Sequence, residues 1–238
     1  MTAGSDRHVA ADEEREATEH LLLAQLRRAG GEVTNALRES LVVRHVEIVE
    51  VYPLGIALVP PDPPLTDGDV VLRLRDPKDQ PLISAASHDP ETQRWLDDEP
   101  IPTSGTSVFQ DPREIWARGE RAPLVIADRE TDHAIGLVSL RVISNGTASL
   151  AVSVFPEARG RGVAATALRL VARWAILESG FQRVEAEADV ANIASGRAIE
   201  KAGFVREGVL RSHCETHGVR HDCEMFALVP ADLACAQT

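Results

Sequence analysis

The sequence predicts an α/β protein: a mixed central sheet flanked by helices, carried behind an N-terminal extension of helices and a hairpin. Three observations predict it. Residues 152–165 read as a strand, a glycine-rich turn and the first turn of a long helix. The helix that follows places Val163, Ala167, Leu170, Val171, Trp174 and Leu177 on one stripe, which must face a sheet. Beyond it Val184, Ala186 and Ala188 alternate with Glu185, Glu187 and Asp189, the period of a strand with one polar face. A chain of 238 residues with 44% hydrophobic content accommodates one ordinary domain plus an extension.

In chain order, residues 12–29 are helix-like, with Leu22, Leu26 and Ala29 at helical spacing and Gly30-Gly31 as a stop. A short helix over 32–40 follows. Residues 41–51 and 55–59 are β-branched and flank Tyr52-Pro53-Leu54-Gly55, the pattern of a hairpin. Pro60-Pro61-Asp62-Pro63-Pro64 continues neither helix nor central strand and separates an extension, 1–61, from a main domain, 67–233. Two helices and a hairpin imitate a winged-helix DNA reader, but ten acidic residues against six arginines in this region would repel phosphates. An appendage for packing or for oligomerisation, as in a homodimer, is the expectation.

In the main domain, 70–74 is a strand, followed by a helix running to Leu96. Residues 124–128 and 134–143 are apolar strands around the turn Arg129-Glu130-Thr131-Asp132, and 147–155 is the next strand. The helix over 163–179 closes at Gly180-Phe181. A strand over 183–189 leads into a second helix, for which Asn192 is a good N-cap and Gly203 suits the left-handed position after the end. A hairpin turning near His217-Gly218 completes the order.

The glycine-rich turn carries the first chemistry. Glycines remove the Cβ atoms that would hold a phosphate off the backbone, and the helix start at Val163 offers N–H groups and the positive end of a dipole. Arg159 and Arg161 add charged donors. By itself the turn is ambiguous: Gly160-x-Gly162-x-x-Ala165 also fits a dinucleotide fingerprint, with Glu185 near the offset of a ribose-binding acid.

Two longer motifs separate those readings. Arg159-x-x-Gly162-x-Ala164 resembles the acyl-CoA motif of the GNAT acetyltransferase superfamily, and Asn192-x-x-Ser195 leading into Glu200-Lys201-Ala202-Gly203-Phe204 resembles its second signature. The pattern is most similar to the Rim branch, the ribosomal-protein N-terminal acetyltransferases. That branch shares Arg73-x-Arg75-Asp76-Pro77-x-Asp79, Phe204-x-x-Glu207-Gly208-Val209-Leu210-Arg211 and Arg220-x-Asp222. The resemblance implies a GNAT fold and acetyl-CoA as acyl-donor substrate. It also implies that Arg159, Gly160, Arg161, Gly162, Val163 and Ala164 hold the pyrophosphate, while Ser153, Val154 and Phe155 meet pantetheine and the thioester. Asn192 and Ser195 would contact the coenzyme, with Ser195 giving a proton to the departing thiolate.

Transfer to an amine also needs a base. Rim-type enzymes often carry a glutamate on the strand before the coenzyme turn, where this chain has Ser149. Glu187 is the candidate base, beside Glu185, Asp189 and a water relay. The implied activity is N-acetylation of a primary amine, on a protein N-terminus or on a small amine such as an aminoglycoside or polyamine. A noncatalytic acyl-CoA-binding module, motivated by Ser149, and a dinucleotide-binding oxidoreductase are the alternatives.

His213-Cys214-x-x-His217-x-x-x-His221-x-Cys223 supplies soft ligands but fits no standard zinc spacing, so no metal is expected. Cys214, Cys223 and Cys235 form no disulfide framework and are expected reduced. A formal charge of −12 disfavours nucleic acid and favours basic partners. No apolar run approaches membrane-spanning length and the start lacks the regions of a signal peptide, so a cytoplasmic protein with no membrane partner is expected.

Overall fold

The computed structural model describes residues 58–96, 111–144 and 146–235. The expected helices over 12–29 and 32–40 lie outside the described residues, as does the hairpin apart from Leu58 and Val59, and with them nearly all of the extension.

The described elements run β1 (Leu65–Asp67), β2 (Val70–Arg73), α1 (Gln80–Ser87), α2 (Pro90–Trp95), α3 (Pro112–Ala117), β3 (Arg121–Asp128), β4 (Ala134–Ser144), β5 (Thr147–Val154), α4 (Val163–Leu177), β6 (Arg183–Asp189), α5 (Ile193–Lys201), β7 (Val205–Thr216), β8 (Val219–Leu228) and α6 (Pro230–Cys235). They build an eight-stranded sheet in the order β1-β2-β3-β4-β5-β6-β8-β7. Every neighbouring pair is antiparallel except β5 and β6, which run parallel. The helix-to-Leu96 expectation is corrected: the segment is two helices, because Asp89 accepts from the Thr92 N–H as a cap and Pro90 opens a new first turn. The short β1, α3 and α6 were not expected.

One departure from regular pairing positions the site. The parallel ladder pairs Thr147 with Arg183 and ends at Leu150 with Ala186. Past that point β5 stays with β4, to Val154 opposite Gly136, while β6 stays with β8, to Asp189 opposite Cys223. The two middle strands therefore fork, and the edges of β5 and β6 beyond Leu150 and Ala186 have no partner in the sheet.

Strand alternation sorts the side chains onto two faces. On one, Val184, Ala186 and Ala188 join Ala148, Leu150, Phe226 and the α4 stripe in the main core, where the Trp174 ring packs tilted by 60° against Trp116 of α3, centroids 5.7 Å apart. On the other, Ile83 and Ala86 of α1 pack against Val125, Ala127, Ala134 and Phe155. In-register pairing puts Leu137, Ser153, Ser149, Glu185, Glu187 and Asp189 on this second face. The polar side of β6 is thus the side that opens at the fork.

Reduced thiols were expected, and here the structure corrects the sequence: Cys214 and Cys223 form a disulfide. The reason is a bulge. The β7–β8 register jumps from Leu210 opposite Cys223 to Cys214 opposite His221, so 211–213 face Asp222 alone. That looping brings the two Cα atoms to 6.1 Å, within the range a disulfide spans. Among the described residues no group of three His, Cys, Asp or Glu side chains converges as a metal site. Nor is any described helix long and apolar enough to cross a membrane.

Candidate active site

The site is built at the fork. A short 3-10 turn, Pro156–Ala158, carries the chain from β5 into the glycine turn, and α4 then begins with Gly162 as its N-cap at φ +81°. Left-handed backbone strains any residue with a Cβ, and Gly162 has no capping side chain to cover the first-turn N–H groups of α4. Those amides remain available to an anion. A Cβ on Gly162 would also stand 3.7 Å from the Lys201 ammonium at the end of α5. Lys201 is a cation beside the turn that the sequence shows only as one member of the Glu200–Phe204 signature.

The two turn arginines behave differently. Arg159 is engaged within the protein: its Nη2 donates to Asp89 Oδ2 at 2.6 Å and to Thr92 Oγ1 at 2.8 Å, and its Nε to the Val154 carbonyl at 3.2 Å. The guanidinium holds the Asp89 carboxyl below its usual range, aided by the Thr92 N–H. Arg159 therefore ties β5 and the turn to α2. Arg161 is half exposed and only loosely near Asp128, at 3.8 Å.

The Asn192 side chain accepts from the Ser195 N–H at 3.1 Å, which makes it the cap of α5. Ser195 sits half-buried in the first turn. The α5 helix lies close on the sheet because Gly196 is small: a Cβ there would meet Glu224 Oε2 at 3.1 Å. Gly203 takes φ +99° just past the end of α5.

The three acidic candidates on β6 are sorted by their partners. Glu185 is paired with Arg183 at 2.7 Å, whose fork also holds Glu207, so its charge is spent within the sheet. Glu187, the first residue of β6 beyond the fork, lies 3.2 Å from His213 Nε2. Asp189 lies 3.3 Å from His221 Nδ1 and accepts from the Ala191 N–H at 2.7 Å. Ser149 stands one position before the fork, in register with Arg141 and Glu185. Both histidines belong to the His/Cys cluster over 213–223, for which no metal is expected; strand alternation alone does not show that β7 and β8 bring them to these carboxylates.

The α2 helix is tied to two of the elements around this face. Arg159 ties it to the glycine turn, and His217 at the β7–β8 turn meets the Gln93 carbonyl at 2.8 Å. In the sheet, Gly136 sets how closely β4 and β5 approach: a Cβ would stand 2.7 Å from the Ser153 carbonyl oxygen and 3.3 Å from Val154 Cα. Gly136→Ala is expected to push Ser153 and Val154 outward, with a loss of about 1–3 kcal/mol in denaturant unfolding and weaker binding of acetyl-CoA. Unchanged stability and affinity would show that the approach is slack.

A sheet forked between parallel strands, with a glycine-opened helix at the fork, defines an N-acetyltransferase fold and site. The family profile described as Acetyltransferase (GNAT) domain matches residues 69–205, and the chain belongs to the GNAT acetyltransferase family. It is 36% identical over 104 residues to the Bacillus subtilis (strain 168) protein named Probable N-acetyltransferase YjcK, a match covering 42% of this chain and 58% of that relative. The solved structure of RimL, ribosomal L7/L12 alpha-N-protein acetyltransferase in complex with coenzyme A, superposes with a TM-score of 0.60 at 19% identity, over 68% of this chain and 95% of that one. Mycobacterium smegmatis RimJ in complex with CoA-disulfide gives 0.59 at 21% identity, over 71% and 89%. At these identities the two structures establish the fold.

Proposed function

We propose that the protein transfers the acetyl group of acetyl-CoA to a primary amine by direct attack at the fork. The observation that carries this reading is the left-handed Gly162 opening α4 beside the fork between β5 and β6. Acetyl-CoA supplies the activated thioester. The amides of Gly160, Arg161, Gly162, Val163 and Ala164 hold its pyrophosphate, with Arg161 and Lys201 supplying countercharge. Arg159 braces the turn against α2 and acts on the coenzyme through that position. The β5 edge at Ser153, Val154 and Phe155, where Arg159 already holds the Val154 carbonyl, meets pantetheine and positions the thioester. Ser195, placed by its Asn192 cap, gives the proton to the departing thiolate, and the Glu187 side of the fork receives the proton of the amine.

The acceptor is a cation before it reacts, which suits a face bearing Glu187 and Asp189. A protein N-terminus, a polyamine or an aminoglycoside fits that description. Residues 1–61 serve as an appendage for packing or dimerisation, so removing residues 1–57, which spares Leu58 in the main core, leaves the affinity for acetyl-CoA unchanged in calorimetry.

The deciding experiment measures release of free CoA thiol with spermidine, kanamycin, and peptides opening on Ser, Ala or Met. Amine-dependent release supports the reading. Saturable binding of acetyl-CoA with no release for any amine favours a noncatalytic binding module, and binding of a nicotinamide dinucleotide in place of acetyl-CoA overturns both.

A further inference from the structure

We infer that His213, presented by the β7 bulge and held by Glu187, is the group that takes the proton from the acceptor amine. The inference rests on the acetyltransferase reading above and names the base within it. Bulges beside active sites re-aim a side chain, and this one is fixed on every side. Asp222 accepts from the Ser212 N–H at 2.8 Å, and Arg220 donates to the Ser212 carbonyl at 2.8 Å and to the His213 carbonyl at 3.2 Å. Ser212 is held at φ +53°, a conformation unfavourable for a residue with a side chain. The Cys214–Cys223 disulfide fastens the next residue. Arg220-x-Asp222 is therefore the clamp that sets where His213 points.

The imidazole is aimed at β6. Its Nε2 lies 3.2 Å from Glu187 Oε2, so an Nε2–H donated to that carboxylate leaves Nδ1 as the acceptor. Its side chain is 45% exposed, which leaves it open to an incoming amine. Glu187 is the first β6 residue whose β5-facing edge is open, its other edge staying with β8, so the pair stands at the crotch of the fork, where the reading above places the thioester. The other pair differs. Asp189 is 13% exposed and also closes the turn onto Ala191, so His221–Asp189 is a structural contact and a built-in comparator.

The proton balance is simple. The acceptor ammonium loses one proton to His213 Nδ1, which passes it to solvent. The neutral nitrogen forms its bond to the acetyl carbon as the C–S bond breaks, and the second proton neutralises the departing thiolate. Glu187 touches no reacting atom in this scheme and is a positioning residue.

The test uses the full chain with acetyl-CoA and whichever amine of the panel above gives the fastest thiol release. His213→Ala is expected to lower kcat about 100-fold while leaving acetyl-CoA affinity unchanged. Free imidazole should restore at least about tenfold of that rate, a rescue that a merely structural histidine would not show. Glu187→Gln should cost about tenfold, and His221→Ala less than about threefold. His213→Gln repeats the measurement with a side chain closer in size and polarity. The inference is overturned if His213→Ala and His213→Gln keep turnover within about threefold, if imidazole rescues nothing, or if Glu187→Gln alone abolishes the reaction. Wild-type protein that binds acetyl-CoA yet turns over no amine removes the transferase reading itself, and the base with it.

Discussion

Replacing Gly162 by valine is expected to lower the affinity for acetyl-CoA by about two to three orders of magnitude. Each hydrogen bond to a charged group is worth about 1.5–3 kcal/mol, and 1.4 kcal/mol is a factor of ten, so losing two such bonds accounts for the drop. The mechanism is local. At φ +81° a β-branched residue cannot keep the turn, and its side chain would also crowd the Lys201 ammonium. The backbone relaxes, and the first-turn amides of α4 stop converging. Gly160→Ala separates the two effects, because a Cβ there meets nothing within 4 Å although φ is +74°. That variant should carry the conformational cost alone, about 1–2 kcal/mol of stability, with a smaller loss of affinity. Calorimetric titration with acetyl-CoA alongside thermal melts reads both quantities. If Gly162→Val binds within a few-fold of wild type, the pyrophosphate lies elsewhere and the placement of the whole donor site falls.

The fold was legible where period and punctuation agreed. The β6 strand over 183–189 and the glycine turn need only local rules, and both stand where the sequence put them. The α1–α2 break was legible in hindsight from Asp89-Pro90, a cap followed by a first-turn proline, but the apolar spacing on both sides masked it. The geometry of the glycine turn was legible, while the pairing of the acidic groups on β6 was only half legible. Glu187 carries no local sign that distinguishes it from Glu185 or Asp189; what separates them is a partner 26 residues onward in β7. That partner depends on a bulge of unequal strand lengths, which no alternation pattern shows. Gly136 was silent for the same reason: its need comes from the backbone of β5 and not from a turn of its own.

Arg73→Ala is expected to destabilise the fold by about 3–5 kcal/mol, since removing one partner of a buried ion pair strands the other. Arg73 on β2 grips Asp79 with two bonds of 2.8 Å, and the Asp79 side chain is only 2% exposed. The same guanidinium reaches Asp132 at 2.6 Å, while Asp79 accepts from the Asp76 N–H at 2.8 Å. The motif Arg73-x-Arg75-Asp76-Pro77-x-Asp79 is thus a joint between β2, the start of α1 and the β3–β4 turn. For a domain of 150–250 residues the loss should lower the melting temperature by about 6–20 °C. Its pH dependence has a definite sign. Burial alone would raise the Asp79 carboxyl, but the Arg73 bonds, the Asp76 N–H and the Lys78 charge hold it below the usual range. A depressed carboxyl contributes stability above its unfolded pKa of about 3.9 and loses it as the pH falls through the lower folded value. Without Arg73 burial prevails, the carboxyl rises, and acidification relieves the variant by protonating Asp79 while it begins to weaken the wild type. The stability gap between the two proteins should therefore narrow from pH 7 to pH 4. Arg73→Leu combined with Asp79→Leu should recover much of the loss, because it leaves no buried charge behind. A gap that stays constant across this range would mean that Asp79 is solvated in the folded protein and that the joint holds by packing alone.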